Sequence, residues 1–132
     1  MNKPKIFIAC DTTNLKKVKK IINHSKTNNI KIGYKFGLEF MNSKNGRNFV
    51  STLKNKIIFV DLKLNDTVNT MLSAVKALKD LKINYLTVHI SSGLDALRAV
   101  KKISGSTKIV GVTTLTSLNN NDLKLIGYNK SV

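Results

Sequence analysis

The sequence predicts an α/β fold in which parallel strands alternate with helices. Most of the strand-like runs are continuously apolar and rich in β-branched residues, which is typical of parallel strands covered on both faces. Segments with helical spacing separate them, and this alternation indicates right-handed β-α-β units. The strand-like runs span residues 5–10, 30–33, 56–62, 84–90 and 108–115.

Two architectures fit this alternation. One is a (β/α)8 TIM barrel, of which the chain would hold about the first five β/α units. The other is an open doubly wound sheet, which would be complete at five strands. The periodicity of the sequence does not separate the two.

The helical segments are recognised by apolar stripes that repeat every three or four residues. The first stripe lies at 15–22 and follows Thr12 and Thr13, which are candidate N-caps. Another stripe ends before Gly105, a candidate helix stop. The helical segments after the first are 71–78, 94–103, 119–126 and 34–54. The segment 34–54 has an interruption near Asn45 and Gly46.

Composition places the chain among globular proteins. It has 132 residues, of which 42% are hydrophobic, enough for one domain with a real core. No run approaches the roughly 18 apolar residues of a membrane span, so we expect no membrane partner. A secretory signal is not visible at 1–5, and the single Cys10 cannot form an internal disulfide. These features predict a cytoplasmic protein.

The net charge of +16 raises the question of nucleic acid. However, 21 of the 23 basic residues are Lys, and these lysines are scattered along the chain rather than gathered in one block. Arginine, which reads bases and phosphates best, occurs only as Arg47 and Arg98. We therefore expect no nucleic-acid partner and interpret the lysines as a solvated surface, with a basic binding module as an alternative function.

Polar side chains collect where the predicted strands end. In strand three Asp61 and Lys63 share a face, because side chains alternate with period two, and Asp66 follows just past the strand. Carboxyl ends of parallel strands meet at one edge, where α/β enzymes carry their active sites. The other candidates at strands one, two, four and five are Asp11, Lys31, His89, Thr116 and Ser117.

The motifs that hold common cofactors are missing from the sequence. There is no Walker phosphate loop, no dinucleotide fingerprint and no G-x-S-x-G elbow. Cys10, His24 and His89 are too few and too badly spaced for a zinc site. The sequence predicts a site of fixed charges that acts without a metal or an organic cofactor.

The segment 61–70, Asp-Leu-Lys-Leu-Asn-Asp-Thr-Val-Asn-Thr, resembles the signature D-[LF]-K-x-x-D-I-x-x-T of orotidine 5′-phosphate decarboxylases. Thr67-Val68 stands where that family usually has Ile-Pro. Four further segments resemble the family's strands one, two (K-[IV]-G), four and five, in the same order. They are 8–11, 30–33, 87–89 and 112–117.

This resemblance implies decarboxylation of orotidine 5′-monophosphate to uridine 5′-monophosphate, a step of pyrimidine biosynthesis that uses no metal or organic cofactor. It implies that Lys63 stabilises the carbanion at C6 and supplies the proton. Asp61 would sit beside the substrate carboxylate. Lys31 would hold Asp61 and contact the ribose. Apart from the resemblance, we expect Lys35 to face solvent.

The resemblance also implies a homodimer. Asp66 and Thr70 would reach the active site of the neighbouring subunit. Asp11 would bind the ribose and Thr116 the pyrimidine. His89 is more simply a packed or hydrogen-bonded residue, and Cys10 a small core residue.

A complete barrel takes about 250 residues, so we expect 1–132 to be the N-terminal part of one barrel domain, truncated before the family's phosphate-binding Gln and Gly-Arg pair. The chain alone is then expected to be inactive and poorly soluble, because strand edges stay exposed. The alternative within the superfamily is a phosphosugar lyase, such as a hexulose-phosphate synthase or keto-gulonate-phosphate decarboxylase. Those relatives share D-x-K-x-x-D and usually need magnesium.

Overall fold

A computed structural model describes residues 5–128 of the chain. Five parallel strands form one sheet in the order β1-β2-β3-β4-β5. These strands are β1 (Lys5–Ala9), β2 (Lys31–Gly37), β3 (Ile57–Leu64), β4 (Tyr85–His89) and β5 (Lys108–Val112).

The strand order decides between the two predicted architectures. Each strand pairs with the strand that precedes it in the chain, so the sheet winds in one direction from β1 to β5. A doubly wound sheet reverses direction at a switch point, as in the orders 3-2-1-4-5-6 and 2-1-3-4-5. The order therefore confirms five successive β/α units of the barrel type, and the doubly wound alternative is wrong.

Helices follow the strands along the chain, and none within residues 5–128 is long and apolar enough to cross a membrane. Short 3-10 turns at Lys79–Leu81 and Ile90–Ser92 complete the connections. The helices are α1 (Leu15–His24), α2 (Leu38–Met41), α3 (Gly46–Thr52), α4 (Val68–Ala77), α5 (Leu94–Ile103) and α6 (Asn120–Leu125).

The two faces of the sheet have different roles. Even-numbered strand residues such as Phe36, Val60 and Val88 are fully buried in one core with the apolar sides of the helices. In β1 to β4 the odd-numbered residues lie on the other, inner face, because side chains alternate along a strand. On this inner face Phe7, Phe59 and Tyr85 pack together with ring centroids 5.1–5.9 Å apart. Residues of this face that lie nearer the carboxyl ends of the strands are the ones available for a site.

Strand β2 is longer than the sequence predicts. The helix expected from residue 34 is wrong over its first turn, because Tyr34 and Phe36 bury themselves against the helices while Lys35 faces inward. Four further residues thus continue the strand to Gly37, and α2 begins only at Leu38. The predicted interruption near Asn45 is confirmed, since α3 starts at Gly46.

The cap of the first helix also differs from the prediction. Asn14, rather than Thr12 or Thr13, is the N-cap of α1, and its side-chain oxygen accepts a hydrogen bond from the Lys17 N–H at 3.1 Å. Thr12 instead accepts from the Asn14 N–H at 3.3 Å. Asn and Thr both cap helices well, so the residue nearest the first helical turn takes the position.

Replacing Gly46 with alanine should destabilise the fold by about 3 kcal/mol, at the upper end of overpacking costs. A Cβ atom there would overlap the Phe40 carbonyl oxygen, and this obstacle is backbone that cannot rotate away. The midpoint of urea unfolding measures the loss. The matched control is Asn45→Ala, an exposed neighbour whose side chain makes no cap, with an expected change below about 0.5 kcal/mol. Equal midpoints for the two variants would contradict the packing argument.

Candidate active site

A buried carboxylate, Asp61, is the centre of the site. Its side chain is 11% exposed and lies on the inner face of the sheet. Lys63 Nζ donates to its Oδ1 at 3.0 Å and its Oδ2 at 3.1 Å. Lys35 Nζ donates to Oδ2 at 3.2 Å, and the Thr87 hydroxyl donates to Oδ1 at 2.8 Å. Two ammonium groups and one hydroxyl thus hold the carboxylate from three strands.

A second carboxylate extends this arrangement. Asp11, just after β1, has its Oδ2 3.7 Å from Lys35 Nζ, and its side chain is 55% exposed. Asp11, Lys35, Asp61 and Lys63 therefore alternate in sign, and we call these four residues the charge array. All four come from the carboxyl-terminal ends of β1, β2 and β3, as the topology of parallel strands predicts.

Opposing effects act on the pKa of Asp61. Burial disfavours the charged form and by itself would raise the pKa. Hydrogen bonds from Lys63, Thr87 and Lys35 favour the charged form, and together they hold the pKa of Asp61 below its ordinary value. Asp61 is therefore ionised at neutral pH, with its neighbours fixed around a negative charge.

An irregularity in β3 aims the two charges of that strand at each other. Val60 pairs with Leu86 and Leu64 pairs with Val88, so three residues of β3 lie opposite the single residue Thr87. Such bulges are common next to active sites, where they redirect side chains. Within this bulge Lys63 has a left-handed backbone with φ of 48°, an uncommon conformation for a residue other than glycine.

Lys31 does not take part in the charge array, so the predicted contact with Asp61 is wrong. Lys31 is the first residue of β2, whereas Gly37 at the other end of the strand pairs with Asp61. Lys35 lies four residues further along, on the same face and roughly 13 Å away. The expectation that Lys35 faces solvent is also wrong, because it is half-buried between Asp61 and Asp11.

The reason for this error is visible in the sequence. The pattern K-x-G occurs twice in succession, as Lys31-Ile32-Gly33 and as Lys35-Phe36-Gly37. A spacing of four places both lysines on one face of a strand, so alternation does not distinguish them. The second copy of the pattern is the sequence feature that indicates Lys35 as a candidate. Only the register of β2 against β3 shows which copy reaches the site.

Asp66 and Thr70 lie outside the charge array. Both are exposed in the turn after β3 and the first turn of α4. Asp66 Oδ1 accepts from the Thr67 N–H at 2.6 Å, and the Thr67 and Thr70 hydroxyls are 3.1 Å apart. Neither side chain contacts the charge array within residues 5–128, and their role in a neighbouring subunit stays a prediction.

The remaining candidates, Thr116 and His89, lie at the same end of the sheet but outside the charge array. Thr116 is exposed in the loop after β5, at the same end of the sheet. His89, at the end of β4, is half-buried with its Nδ1 3.5 Å from the Ser91 hydroxyl. Cys10 is a core residue, as expected, and burial together with neighbouring Asp11 raises the pKa of its thiol to about 11. That thiol is protonated and inert near neutral pH.

The geometry is suited to chemistry in which negative charge moves away from one point and builds up beside another. The Asp61 carboxylate repels a second anion, while the Lys63 ammonium beside it attracts developing negative charge and can donate a proton. Mutual contacts hold these groups before any ligand arrives, so little reorganisation is needed as charge develops.

The sequence of this chain matches a known family and several known proteins. The family model described as orotidine 5′-phosphate decarboxylase / HUMPS family matches residues 4–131. The orotidine 5′-phosphate decarboxylase of Wolbachia sp. subsp. Brugia malayi is 38% identical over 131 residues, which are 96% of this chain and 57% of the relative. That of Ehrlichia chaffeensis is 50% identical over 76 residues, which are 56% of this chain and 33% of the relative. The chain spans about half the length of such relatives or less.

Solved structures agree with these matches. The crystal structure of orotidine 5′-phosphate decarboxylase from Lactobacillus acidophilus matches 98% of this chain and 62% of its own, at 28% identity and a TM-score of 0.83. The enzyme from Methanocaldococcus jannaschii, solved with the inhibitor BMP, supports the fold alone, at 24% identity and a TM-score of 0.72. With strand order, charge array and family match in agreement, the chain belongs to the orotidine 5′-phosphate decarboxylase / HUMPS family.

Proposed function

We propose that the barrel to which residues 1–132 contribute the N-terminal β/α units decarboxylates orotidine 5′-monophosphate to uridine 5′-monophosphate. The observation that carries this proposal is the buried Asp61 carboxylate, 3.0–3.2 Å from the ammonium groups of Lys63 and Lys35. Family membership and the named activity of the relatives support it.

The proposed step needs only the groups of the charge array. The substrate carboxylate lies beside Asp61, and repulsion between the two anions favours its departure. The bond between C6 and the carboxylate carbon breaks, carbon dioxide leaves, and the electron pair stays on C6 next to the Lys63 ammonium. Lys63 Nζ then donates its proton to C6, which gives uridine 5′-monophosphate and a neutral amine. The reaction balances without a metal or an organic cofactor.

Other residues have positioning or binding roles in this proposal. Lys35 keeps Asp61 and Asp11 in place and contacts the ribose, the role that the family resemblance implied for Lys31. Asp11 is half-exposed at the edge of the array, where its free oxygen can accept from a ribose hydroxyl. Thr116 binds the pyrimidine from the loop after β5.

We propose a homodimer in which Asp66 and Thr70 complete the neighbouring site. Their exposure at the start of α4 supports this, as does the partly exposed apolar Val68 between them. Leu94 at the start of the adjacent α5 is 59% exposed, so apolar area is available for a partner. The proposed compartment is the cytoplasm, where a reduced thiol such as that of Cys10 is ordinary.

The test is a chimera that completes the barrel. Residues 1–127 of this chain are followed by the remaining C-terminal segment of the Wolbachia relative, and loss of orotidylate absorbance is measured. We expect turnover that persists in EDTA, and none from the donor segment alone, since that segment lacks the charge array. The 132-residue chain without the donor segment is assayed in parallel and is expected to be inactive.

Two results would contradict this function. One is a folded chimera that leaves orotidylate unchanged. The other is a chimera that instead cleaves a hexulose or keto-gulonate phosphate and loses that activity in EDTA, which would favour the phosphosugar lyase. Salt-sensitive binding of generic DNA without any turnover would favour a basic binding module.

A further inference from the structure

Thr87 on β4 contacts both Lys63 and Asp61 of the charge array, which its residue type alone does not predict. It is 5% exposed and lies opposite the whole bulge of β3, so that Asp61, Leu62 and Lys63 face this one residue. The Thr87 hydroxyl oxygen accepts from the Lys63 backbone N–H at 2.8 Å. The same hydroxyl donates to Asp61 Oδ1, also at 2.8 Å.

The direction of these two bonds follows from their chemistry. A backbone N–H can only donate, so the Thr87 oxygen must accept from Lys63. Its hydroxyl hydrogen is then free to point at the ionised Asp61, which can only accept. The two bonds form a chain from the Lys63 backbone to the Asp61 carboxylate, and bonds in such a chain polarise and strengthen one another.

The Lys63 N–H needs this partner because the bulge removes it from the regular β3–β4 ladder. A buried N–H without a partner costs about 1–3 kcal/mol, and the left-handed backbone of Lys63 adds strain. Without the Thr87 hydroxyl, the bulge of β3 would lose the hydrogen bond that stabilises its shape. The side chain of Lys63 would then no longer be aimed at Asp61.

We infer that Thr87 is a positioning residue that sets the distance between Lys63 and Asp61 by bonding to both. This inference rests on the proposed function for its catalytic meaning, but its structural content stands without turnover. Thr87 touches neither the proposed reacting carbon nor the proposed proton, so it acts through Lys63 and Asp61.

The test compares Thr87→Val, which keeps the shape and removes the hydroxyl, with Thr87→Ser, which keeps the hydroxyl. The matched control is Thr107→Val. Thr107 is a half-buried threonine whose hydroxyl donates to the Ile83 carbonyl at 3.0 Å, away from the charge array. NMR titration of the Asp61 carboxyl carbon and hydrogen exchange of the Lys63 amide are the readouts, measured in the chimera that completes the barrel.

We expect Thr87→Val to raise the pKa of Asp61, because a hydrogen bond to its charged form is lost, and to speed exchange of the Lys63 amide by at least about tenfold. Thr87→Ser should restore both values, and Thr107→Val should change neither. In the active chimera Thr87→Val should lower kcat by about 10–100-fold with little change in KM, again with rescue by serine.

Different results test the role of Thr87 and the proposed reaction. If Thr87→Val folds with an unchanged Asp61 pKa and Lys63 exchange rate, or if serine does not rescue it, Thr87 is not a positioning residue. If Thr87→Val does not fold, rapid exchange of the Lys63 amide in the unchanged chimera would overturn the inference. A chimera without turnover would refute the reaction but leave the NMR results to decide the role of Thr87.

Discussion

Replacing Lys63 with alanine should lower kcat for orotidylate by about 10³-fold or more in the chimera. The change removes the proton donor, an effect of about 10²–10⁴-fold. It also removes the ammonium that faces the developing carbanion, a contribution of similar size. The measurement is loss of orotidylate absorbance at saturating substrate, so that the effect appears in kcat rather than in binding.

The matched control for this variant is Lys82→Ala. Lys82 is also a lysine with a left-handed backbone and φ of 48°, so alanine has the same backbone cost at both positions. It lies just before β4, at the opposite end of the sheet from Lys63. We expect kcat within about twofold of the unchanged chimera. If Lys63→Ala kept a tenth of the activity, or if Lys82→Ala were equally damaging, the assignment of Lys63 would fail.

Replacing Lys35 with alanine should lower kcat/KM by roughly 10²–10³-fold, whereas Lys31→Ala should change it by less than about twofold. Lys35 bridges Asp61 and Asp11, and without it both carboxylates lose the contact that positions them, a misplacement that can cost about 10²-fold in rate or more. A loss of about 3–4 kcal/mol from the transition state corresponds to the expected range, since each 1.36 kcal/mol is tenfold. Both variants remove a lysine from the same face of β2.

A second readout separates these lysines without turnover. Lys35 favours ionised Asp61, so its removal should raise the pKa of Asp61. A carboxyl with a lowered folded pKa contributes stability above its unfolded pKa, and this stability is lost as the pH falls through the folded value. Acid unfolding should therefore begin at a higher pH in Lys35→Ala than in Lys31→Ala. Equal acid-unfolding midpoints and equal turnover would mean that Lys35 has no special role.

Much of the fold could be predicted from the sequence because its signals are local. Residues 94–103 combine an apolar stripe with a following glycine, and the structure has α5 over the same residues. Asp61 and Lys63 follow an apolar run, and alternation alone indicates that they share a face. The two side chains do meet, at 3.0 Å, but across the bulge of β3, which the sequence did not predict.

The errors occurred where pairing between strands decides the outcome. Tyr34-Lys35-Phe36 is compatible with either a helix or a strand, and it became strand because β3 provides partners as far as Gly37. The choice between Lys31 and Lys35 depends on the same register. Thr87 is a favourable strand residue anywhere, and only the three-to-one pairing with β3 shows that its hydroxyl has two partners.

The sequential strand order has a consequence for synthesis on the ribosome. Each strand pairs with the one made just before it, so the first neighbour of every strand after β1 is already present when that strand leaves the ribosome. The sheet can therefore grow one strand at a time, in order of translation. The charge array together with Thr87 is complete once β4 has emerged, since its last contributor is residue 87. Asp61, an ionised carboxylate in a buried place, thus obtains its contacts with Lys35, Lys63 and Thr87 before β5 is added.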